Sequence, residues 1–328
     1  MLLTLLGIRL NMPVPHWLIK LIVAAVLVRL TTAPLIGHYE TELLLGVHWS
    51  FVVYPVALLC FALSWYLWFS TTLRSYLEGA LLHLVAVFIT VQTQYWLNNG
   101  VVDFTDMNFN TLTIQAFNWL LMAWIYQWRS DKAGSTAPLY RAAAAVLVIL
   151  VGLAHLELSL EENPFWHTQS LGSVPVLNLL LLLWGLPAVI FWGFSRLPLK
   201  FRLKKAALYL ALGSGTLYLT GAIRHFWQQG QLLLSLPTSV AEQYSYSLVF
   251  LTIAIATVLL SQWQNKSGPR KAGFVLLSVV VLKVFVVDLN DLTGVLRALS
   301  FIGLGLSLVM LGWLFQRLQK SDVDTVSS

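Results

Sequence analysis

Residues 271–318 read KAGFVLLSVVVLKVFVVDLNDLTGVLRALSFIGLGLSLVMLGWLFQRL, which is two long apolar runs joined by a short acidic turn. A helix needs about 20 predominantly apolar residues to cross a bilayer, so each run is a candidate membrane span. Three ionisable residues lie in or beside the runs: Lys283, Asp288 and Arg297. A charge at bilayer depth costs about 2.5–3.5 kcal/mol on insertion scales, so it normally faces a protein interior or a water-filled cavity. The stretch therefore predicts a membrane hairpin that carries a polar site.

The composition of the whole chain indicates the same class. Of its 328 residues, 58% are hydrophobic and only 10% are charged. A soluble domain carries about 25% charged residues, so most of this chain is expected in lipid. Cys60 is the single cysteine, which excludes an intramolecular disulfide, and its position in an apolar run indicates a packing role. The net charge of +6 does not indicate nucleic acid, because the basic residues recur between hydrophobic runs instead of forming one binding face.

The apolar runs predict an all-α fold, a polytopic membrane bundle of about ten transmembrane helices. These lie near 17–37, 44–69, 75–98, 108–128, 138–158, 174–195, 204–226, 243–263, 271–288 and 292–316. We expect residues 17–318 to form a single transmembrane domain. Residues 1–16 are too short to span and have no basic n-region or cleavage site, so we expect a short interfacial segment and no signal peptide. Residues 319–328 are expected to be a disordered cytoplasmic tail.

The connections between the spans alternate in charge, which predicts their sides. Lysine and arginine mark cytoplasmic loops, so the basic set is placed inside and both termini are predicted to be cytoplasmic. The basic set contains Arg9, Lys20, Arg74, Arg129, Lys132, Arg141, Arg196, Lys200, Arg202, Lys204, Lys205, Lys266, Arg270, Lys271, Arg317 and Lys320. The acidic, outer set contains Glu40, Glu42, Asp103, Asp106, Glu157, Glu161, Glu162, Glu242, Asp288 and Asp291.

Four cations do not follow this alternation and fall in the outer halves of their helices: Arg29, Arg224, Lys283 and Arg297. At about 1.5 Å per residue, Lys283 and Arg297 lie about 7–9 Å below the outer ends of adjacent antiparallel helices. Like charges at one depth need an anion between them, or one must lose its proton. We therefore predict that these two side chains face each other across a shared anion.

Each candidate counter-ion also has a structural explanation. Ser239 and Glu242 have the S-x-x-E spacing of a capping box at the start of the eighth span, although Glu242 can also pair with a cation. Asp291 fits the N-cap of the last helix. Asp288 is able to hydrate a helix end, and its offset of five residues from Lys283 puts the two on different faces of an α-helix.

Other polar residues recur at helical spacing and are typical of contacts between membrane helices. One stripe contains His83, Thr90 and Gln94, the next contains Thr111, Gln115 and Asn118, and a third contains Gly213, Thr216, Thr220 and Arg224. His155, Glu157 and His167 match no metalloenzyme signature, so we predict neither a metal site nor a cofactor.

The stretch beginning at Lys283 has the pattern K-V-F-x-x-D-L-x-x-L-x-G-x-x-R-x-x-S-F-x-x-L-G, which resembles the C-terminal signature of DUF2339, a family of uncharacterised predicted membrane proteins. The matching positions are Lys283, Asp288, Leu289, Gly294, Arg297, Ser300 and Phe301. The AEQYSYSL run with Glu242, Tyr244 and Ser247, the run around Asn178 and Pro187, and VRL at Arg29 are also similar. Family members are often much longer, so the chain resembles a short version or a C-terminal half. The resemblance implies class and topology but no reaction.

These observations leave three functional hypotheses. The first is binding or translocation of an anionic envelope lipid or glycan precursor at an outward-facing site in the bacterial inner membrane. The second is a glycan or lipid transferase with Glu242 or Asp288 as base and His225 or His83 as acid, which would need mutual reach of about 3 Å. The third is a non-catalytic scaffold with structural ion pairs. The expected partners are membrane lipids and no nucleic acid, and the candidate anion site comprises Arg29, Arg224, His225, Glu242, Lys283, Asp288 and Arg297.

Overall fold

A computed structural model describes residues 16–36, 42–43, 47–67, 71–104, 107–264, 267–288, 302, 305–306 and 309. Nine α-helices occupy these ranges. Long apolar runs form helices because a helix satisfies the backbone hydrogen bonds within the segment itself. They are α1 (His16–Ile36), α2 (Ser50–Leu67), α3 (Thr71–Leu97), α4 (Phe109–Ser130), α5 (Ala137–Leu160), α6 (Leu186–Arg196), α7 (Phe201–Trp227), α8 (Val240–Trp263) and α9 (Ser267–Lys283).

The remaining regular elements are short. β1 (Glu42–Leu43) pairs antiparallel with β2 (Val47–His48). A 3₁₀ turn (Gly134–Thr136) precedes α5, and one π-helical turn (Leu181–Gly185) leads into α6. A second π-helical turn (Val284–Asp288) continues α9. Helical segments thus dominate the described part of the chain, as the sequence predicted.

The helices coincide with nine of the ten predicted spans, and the tenth (292–316) lies outside the described residues. Within the described residues, α2, α3, α5, α7 and α8 are long and apolar enough to cross a membrane. The sixth predicted span begins later than expected, because Gly172 takes a positive φ of 99° and Pro175 follows in irregular backbone. Likewise, α2 starts at Ser50, after β2 and Trp49.

The chain divides into two compact units. Unit one contains Met1–Ala222 and Gly230–Leu233, and unit two contains Ile223–Gln229 and Leu234–Ser328. In unit one, α4 and α5 pack around fully buried side chains such as Leu120 and Leu158. A second core in the same unit joins α1, α2 and α3 around Tyr54. The single transmembrane domain stays a prediction.

The polar stripe of α4 binds polar residues of α3 and of the turn after it in unit one. Gln115 Nε2 donates to Thr90 Oγ1 at 3.1 Å, and Asn118 Nδ2 donates to Thr93 Oγ1 at 2.9 Å. Thr111 Oγ1 donates to Asn98 Oδ1 at 3.1 Å. Thr111 therefore bonds the turn that follows α3, whereas Gln115 and Asn118 bond α3 itself, as is typical of polar contacts between membrane helices.

A smaller polar group lies at the start of α2. His48 Nδ1 contacts Ser50 Oγ at 2.6 Å and also accepts the Ser50 backbone N–H at 3.4 Å. Gln92 Nε2 donates to Ser50 Oγ at 2.6 Å, which links this corner to α3. Burial lowers the pKa of His48. The bond from the Ser50 N–H also favours the neutral imidazole, because a protonated Nδ1 could not accept it.

In unit two, α8 and α9 pack closely along their length. A Cβ at Gly273 of α9 would lie 2.8 Å from a Val258 methyl and 3.1 Å from the Val258 backbone nitrogen. Only a residue without a side chain permits this approach, which is a common device between membrane helices. The close packing brings Lys283, ten residues further along α9, onto the face of α8.

Candidate functional site

An ion pair joins the end of α7 to the start of α8 in unit two. Arg224 Nη1 donates to Glu242 Oε1 at 2.8 Å, and the two side chains are only 4% and 0% exposed. Arg224 comes from the last turn of α7, and Glu242 comes from the first turn of α8. A carboxylate is favourable at a helix N-terminus and a cation at a C-terminus, so each charge also suits its own helix end.

Neutral protein groups form the further described hydrogen bonds of this pair. Arg224 Nη2 donates to the Leu236 carbonyl at 2.9 Å. Glu242 Oε1 also accepts the Tyr246 hydroxyl at 2.8 Å, and Glu242 Oε2 accepts Gln228 Nε2 at 2.8 Å. Gln228 Nε2 donates in addition to the Pro237 carbonyl at 3.0 Å. The pair therefore clasps the connection between the two helices, and we call these residues (Arg224, Gln228, Glu242 and Tyr246) the clasp.

The start of α8 contains the predicted cap. Ser239 has extended backbone, and its Oγ accepts the Glu242 N–H at 3.2 Å. The N-cap prediction for Ser239 is thus confirmed. In a complete capping box the Glu242 carboxylate would also accept the backbone N–H of Ser239. No described contact joins these groups, because the carboxylate accepts from Arg224, Gln228 and Tyr246 instead. Both interpretations of Glu242 therefore hold in part: its backbone is capped and its side chain pairs with a cation.

Lys283 reaches from the end of α9 to α8. Its Nζ donates to the Gln243 carbonyl at 2.9 Å and to Ser247 Oγ at 2.6 Å. These two acceptors are four residues apart and therefore lie one above the other on the same face of α8. Both of these acceptors are neutral oxygens of α8, and they orient the ammonium group on the face of that helix.

The backbone changes its geometry directly after Lys283. Val284–Asp288 forms a π-helical turn, in which hydrogen bonds join residues five apart. The sequence argument that Lys283 and Asp288 lie on different faces assumed α-helical geometry, and that assumption is wrong for this turn. Single π-helical turns are rare in proteins overall. Where they occur, they frequently lie at functional sites. The side chain of Asp288 lies outside the described residues.

The structure distributes the other predicted site residues as follows. His225 is buried, with 1% exposure, beside Arg224 in unit two. Arg29 belongs to α1 in unit one and lies along a groove of that unit. Arg297 lies outside the described residues, so its pairing with Lys283 stays a prediction. Of the candidate set, the structure brings Arg224 and Glu242 into direct contact.

Four contributing residues were not proposed as partners from the sequence: Gln228, Gln243, Tyr246 and Ser247. Two of them have a local signal, because Gln228 follows Arg224 by four residues and Tyr246 follows Glu242 by four residues. Residues four apart are neighbours on one helix face, so a charged residue predicts a partner at that spacing. No comparable local signal connects Lys283 with Gln243, because 40 residues separate them.

The architecture and the buried charges define the class as an all-helical membrane protein with an ion-paired polar region. The family model described as Predicted membrane protein (DUF2339) matches residues 2–318. The chain therefore belongs to this family of predicted membrane proteins. No curated protein and no solved structure gives a significant match to it.

Proposed function

We propose that this protein binds an anionic envelope lipid or glycan precursor, or moves it across the membrane, at a polar site around Lys283 in unit two. The observation that carries the proposal is the placement of the Lys283 ammonium. It is partly buried on the face of α8, held by the Gln243 carbonyl and Ser247 Oγ, and followed at once by a π-helical turn. An ionisable residue at membrane depth is a functional-site hypothesis by default, and the lysine ammonium binds phosphate as a point charge.

The proposal includes the topology expected from the charge pattern. In this topology the chain crosses the bacterial inner membrane ten times, and both termini lie in the cytoplasm. Lys283 then lies in the outer half of the membrane. Arg297 supplies the second cation of the same site. These assignments rest on the alternation of basic and acidic connections and on the helices found at nine of the ten predicted positions.

Within this proposal the clasp has a supporting role. Arg224 donates to Glu242, to the Leu236 carbonyl and to Thr238 Oγ1, so its described donors point at protein acceptors. The clasp therefore holds residues 236–238 against the start of α8, whose first two turns supply Gln243 and Ser247. Arg29 lies in unit one and is assigned no role at the Lys283 site.

The saturated clasp favours a second candidate, a non-catalytic scaffold. Buried ion pairs persist in proteins without adding net stability or binding a ligand, so the clasp alone does not require a cargo. A transferase that uses Glu242 as its base has less support, because this carboxylate is 0% exposed and already accepts three hydrogen bonds, whereas the alternative base Asp288 stays a prediction. A general base needs a free acceptor within hydrogen-bond reach of its substrate.

The test compares Lys283→Met with Lys271→Met, which removes an exposed lysine from the other end of α9. Both variants and the wild type are purified in nanodiscs that contain phosphatidylglycerol and phosphatidylethanolamine. Native mass spectrometry then measures the anionic lipid that remains bound after the disc is released. We expect retention by the wild type and Lys271→Met, and loss by Lys283→Met with nearly unchanged melting temperature.

Two outcomes would count against the proposal. Equal retention of phosphatidylglycerol by all three proteins would show that Lys283 does not bind the headgroup. A large fall in the melting temperature of Lys283→Met, with no bound anionic lipid in the wild type, would favour the scaffold instead.

A further inference from the structure

Unit one contains a cavity of about 410 Å³ that is separate from the Lys283 site. Its volume falls within the roughly 300–1,000 Å³ that small-molecule sites occupy. The walls come from α1, α3, α4 and α5 and from Phe104, and most of them are leucine, valine and alanine side chains. Val146 at its edge is 57% exposed, so the cavity opens to the outside of the helices. No charged side chain is among the described residues that line it.

Most of the polar atoms in the lining already donate within the protein. Thr31 Oγ1 donates to the Leu27 carbonyl at 2.7 Å, and Thr90 Oγ1 donates to the Ala86 carbonyl at 2.8 Å. The indole Nε1–H of Trp119 donates to Thr90 Oγ1 at 2.9 Å, and the hydroxyl of Tyr126 donates to the Leu82 carbonyl at 3.0 Å. These groups therefore have no hydrogen left to offer a ligand.

His83 differs from the other polar residues of the lining. Its Nε2 lies 2.8 Å from Thr31 Oγ1. With the hydroxyl hydrogen of Thr31 directed at the Leu27 carbonyl, the tautomer that satisfies this contact has its proton on Nε2 of His83 and donates to Thr31 Oγ1. In the neutral ring Nδ1 then carries a lone pair, and no hydrogen bond among the described residues uses it. Nδ1 of His83 is thus a hydrogen-bond acceptor in a largely apolar lining.

We propose that this cavity binds a neutral, membrane-soluble alcohol: a long apolar body with a hydroxyl that donates to His83 Nδ1. A ligand with a hydroxyl gains a hydrogen bond to His83 Nδ1 that a ligand without a donor cannot form. An ionised ligand would lose its hydration with no opposite charge in the described lining to compensate. The class that fits both conditions is a lipid alcohol, whatever the chemistry of its chain.

The experiment uses the full chain in nanodiscs and a matched pair of photoreactive probes. One probe is a hexadecanol with a diazirine in its chain, and the other is the O-methyl ether of the same molecule, which lacks the donor. The labelled peptides are mapped by mass spectrometry. We expect labelling of residues 139–150 of α5 or 79–91 of α3. The alcohol should exceed the ether by about 2- to 10-fold, which corresponds to the net contribution of one hydrogen bond.

Three variants assign the site. His83→Phe keeps a ring but removes the acceptor, so the alcohol-to-ether ratio should fall to about one. Ala143→Phe fills the cavity and should remove labelling by both probes. His167→Phe changes an exposed histidine in the connection after α5 and should leave the ratio unchanged.

The proposal would be overturned by equal labelling with alcohol and ether in the wild type. It would equally be overturned by labelling that persists in Ala143→Phe, which would place the probe elsewhere. Both results are obtained without His83→Phe, so they hold even when that variant does not fold. A retained preference for the alcohol in a folded His83→Phe would also contradict it.

Discussion

The clasp allows a quantitative test of how the buried charges contribute to stability. Glu242→Gln keeps the shape of the side chain but removes the only charge described within hydrogen-bond distance of Arg224. Removing one partner of a buried ion pair leaves an uncompensated charge and costs about 3–5 kcal/mol in the free energy of unfolding. Arg224→Met should cost a similar amount, because it strands the Glu242 carboxylate. If the two effects were independent, the double variant would lose about 6–10 kcal/mol.

We expect the double variant, Arg224→Met with Glu242→Gln, to lose only about 1–3 kcal/mol. Neither position of the former pair is then charged, and the cost reduces to the Leu236 carbonyl and Thr238 Oγ1, which have lost their donor. The coupling energy of the cycle should therefore be at least about 3 kcal/mol. Unfolding is measured by titrating sodium dodecyl sulfate into purified protein in mixed micelles and following helicity and tryptophan fluorescence.

The matched control is Glu161→Gln, which removes an exposed carboxylate and should change stability by less than about 0.5 kcal/mol. Additive effects in the double variant would show that Arg224 and Glu242 act separately and would refute the reasoning. A Glu242→Gln variant that is as stable as the control would refute it too.

The other predictions concern single features. Ser239→Ala should cost about 1 kcal/mol by removing the α8 cap, and an unchanged unfolding midpoint would contradict this role. The lowered pKa of His48 means that the folded state prefers the neutral ring, so stability should fall as pH decreases below about 6.5. The free energy of unfolding should change less steeply with pH in His48→Gln than in the wild type. Identical dependence on pH in the two proteins would exclude a contribution from His48. Gly273→Leu should separate α8 from α9 and lower the melting temperature more than Gly273→Ala, and equal melting temperatures would contradict the close packing. Reporter fusions should place Lys266 in the cytoplasm and Glu161 outside, and both on one side would contradict the topology.

The helices could be predicted from the sequence because their signals are local. The length of an apolar run is measured against the thickness of the bilayer, and no knowledge of neighbouring helices is needed. Boundaries were less exact where turn residues intervened: irregular backbone around Gly172 and Pro175 delays the sixth span. The cap at Ser239 was also predictable, because an N-cap depends only on residues three positions apart.

Some partners within the candidate site could be predicted from helical spacing, and others depend on the tertiary fold. Tyr246 and Gln228 each lie four residues from a member of the ion pair, so helical periodicity contains a signal for them. The pair itself joins residues 18 apart across an irregular connection. Whether a cation in one helix meets a carboxylate in the next depends on the path of that connection, which the sequence does not encode in a simple spacing.

The sequence by itself determined that this is a helical membrane protein of a particular family and that its charges concentrate at a few helix positions. These properties follow from composition, run length and motif, which are read along one chain. The tertiary structure decided that the Arg224 charge is neutralised by Glu242 and that Lys283 rests on the Gln243 carbonyl and Ser247. The physical reason is that periodicity defines the faces of each helix, whereas packing alone selects which faces meet. Lys283 and its acceptors are 36 and 40 residues apart, and the close approach of α8 and α9 at Gly273 brings them together.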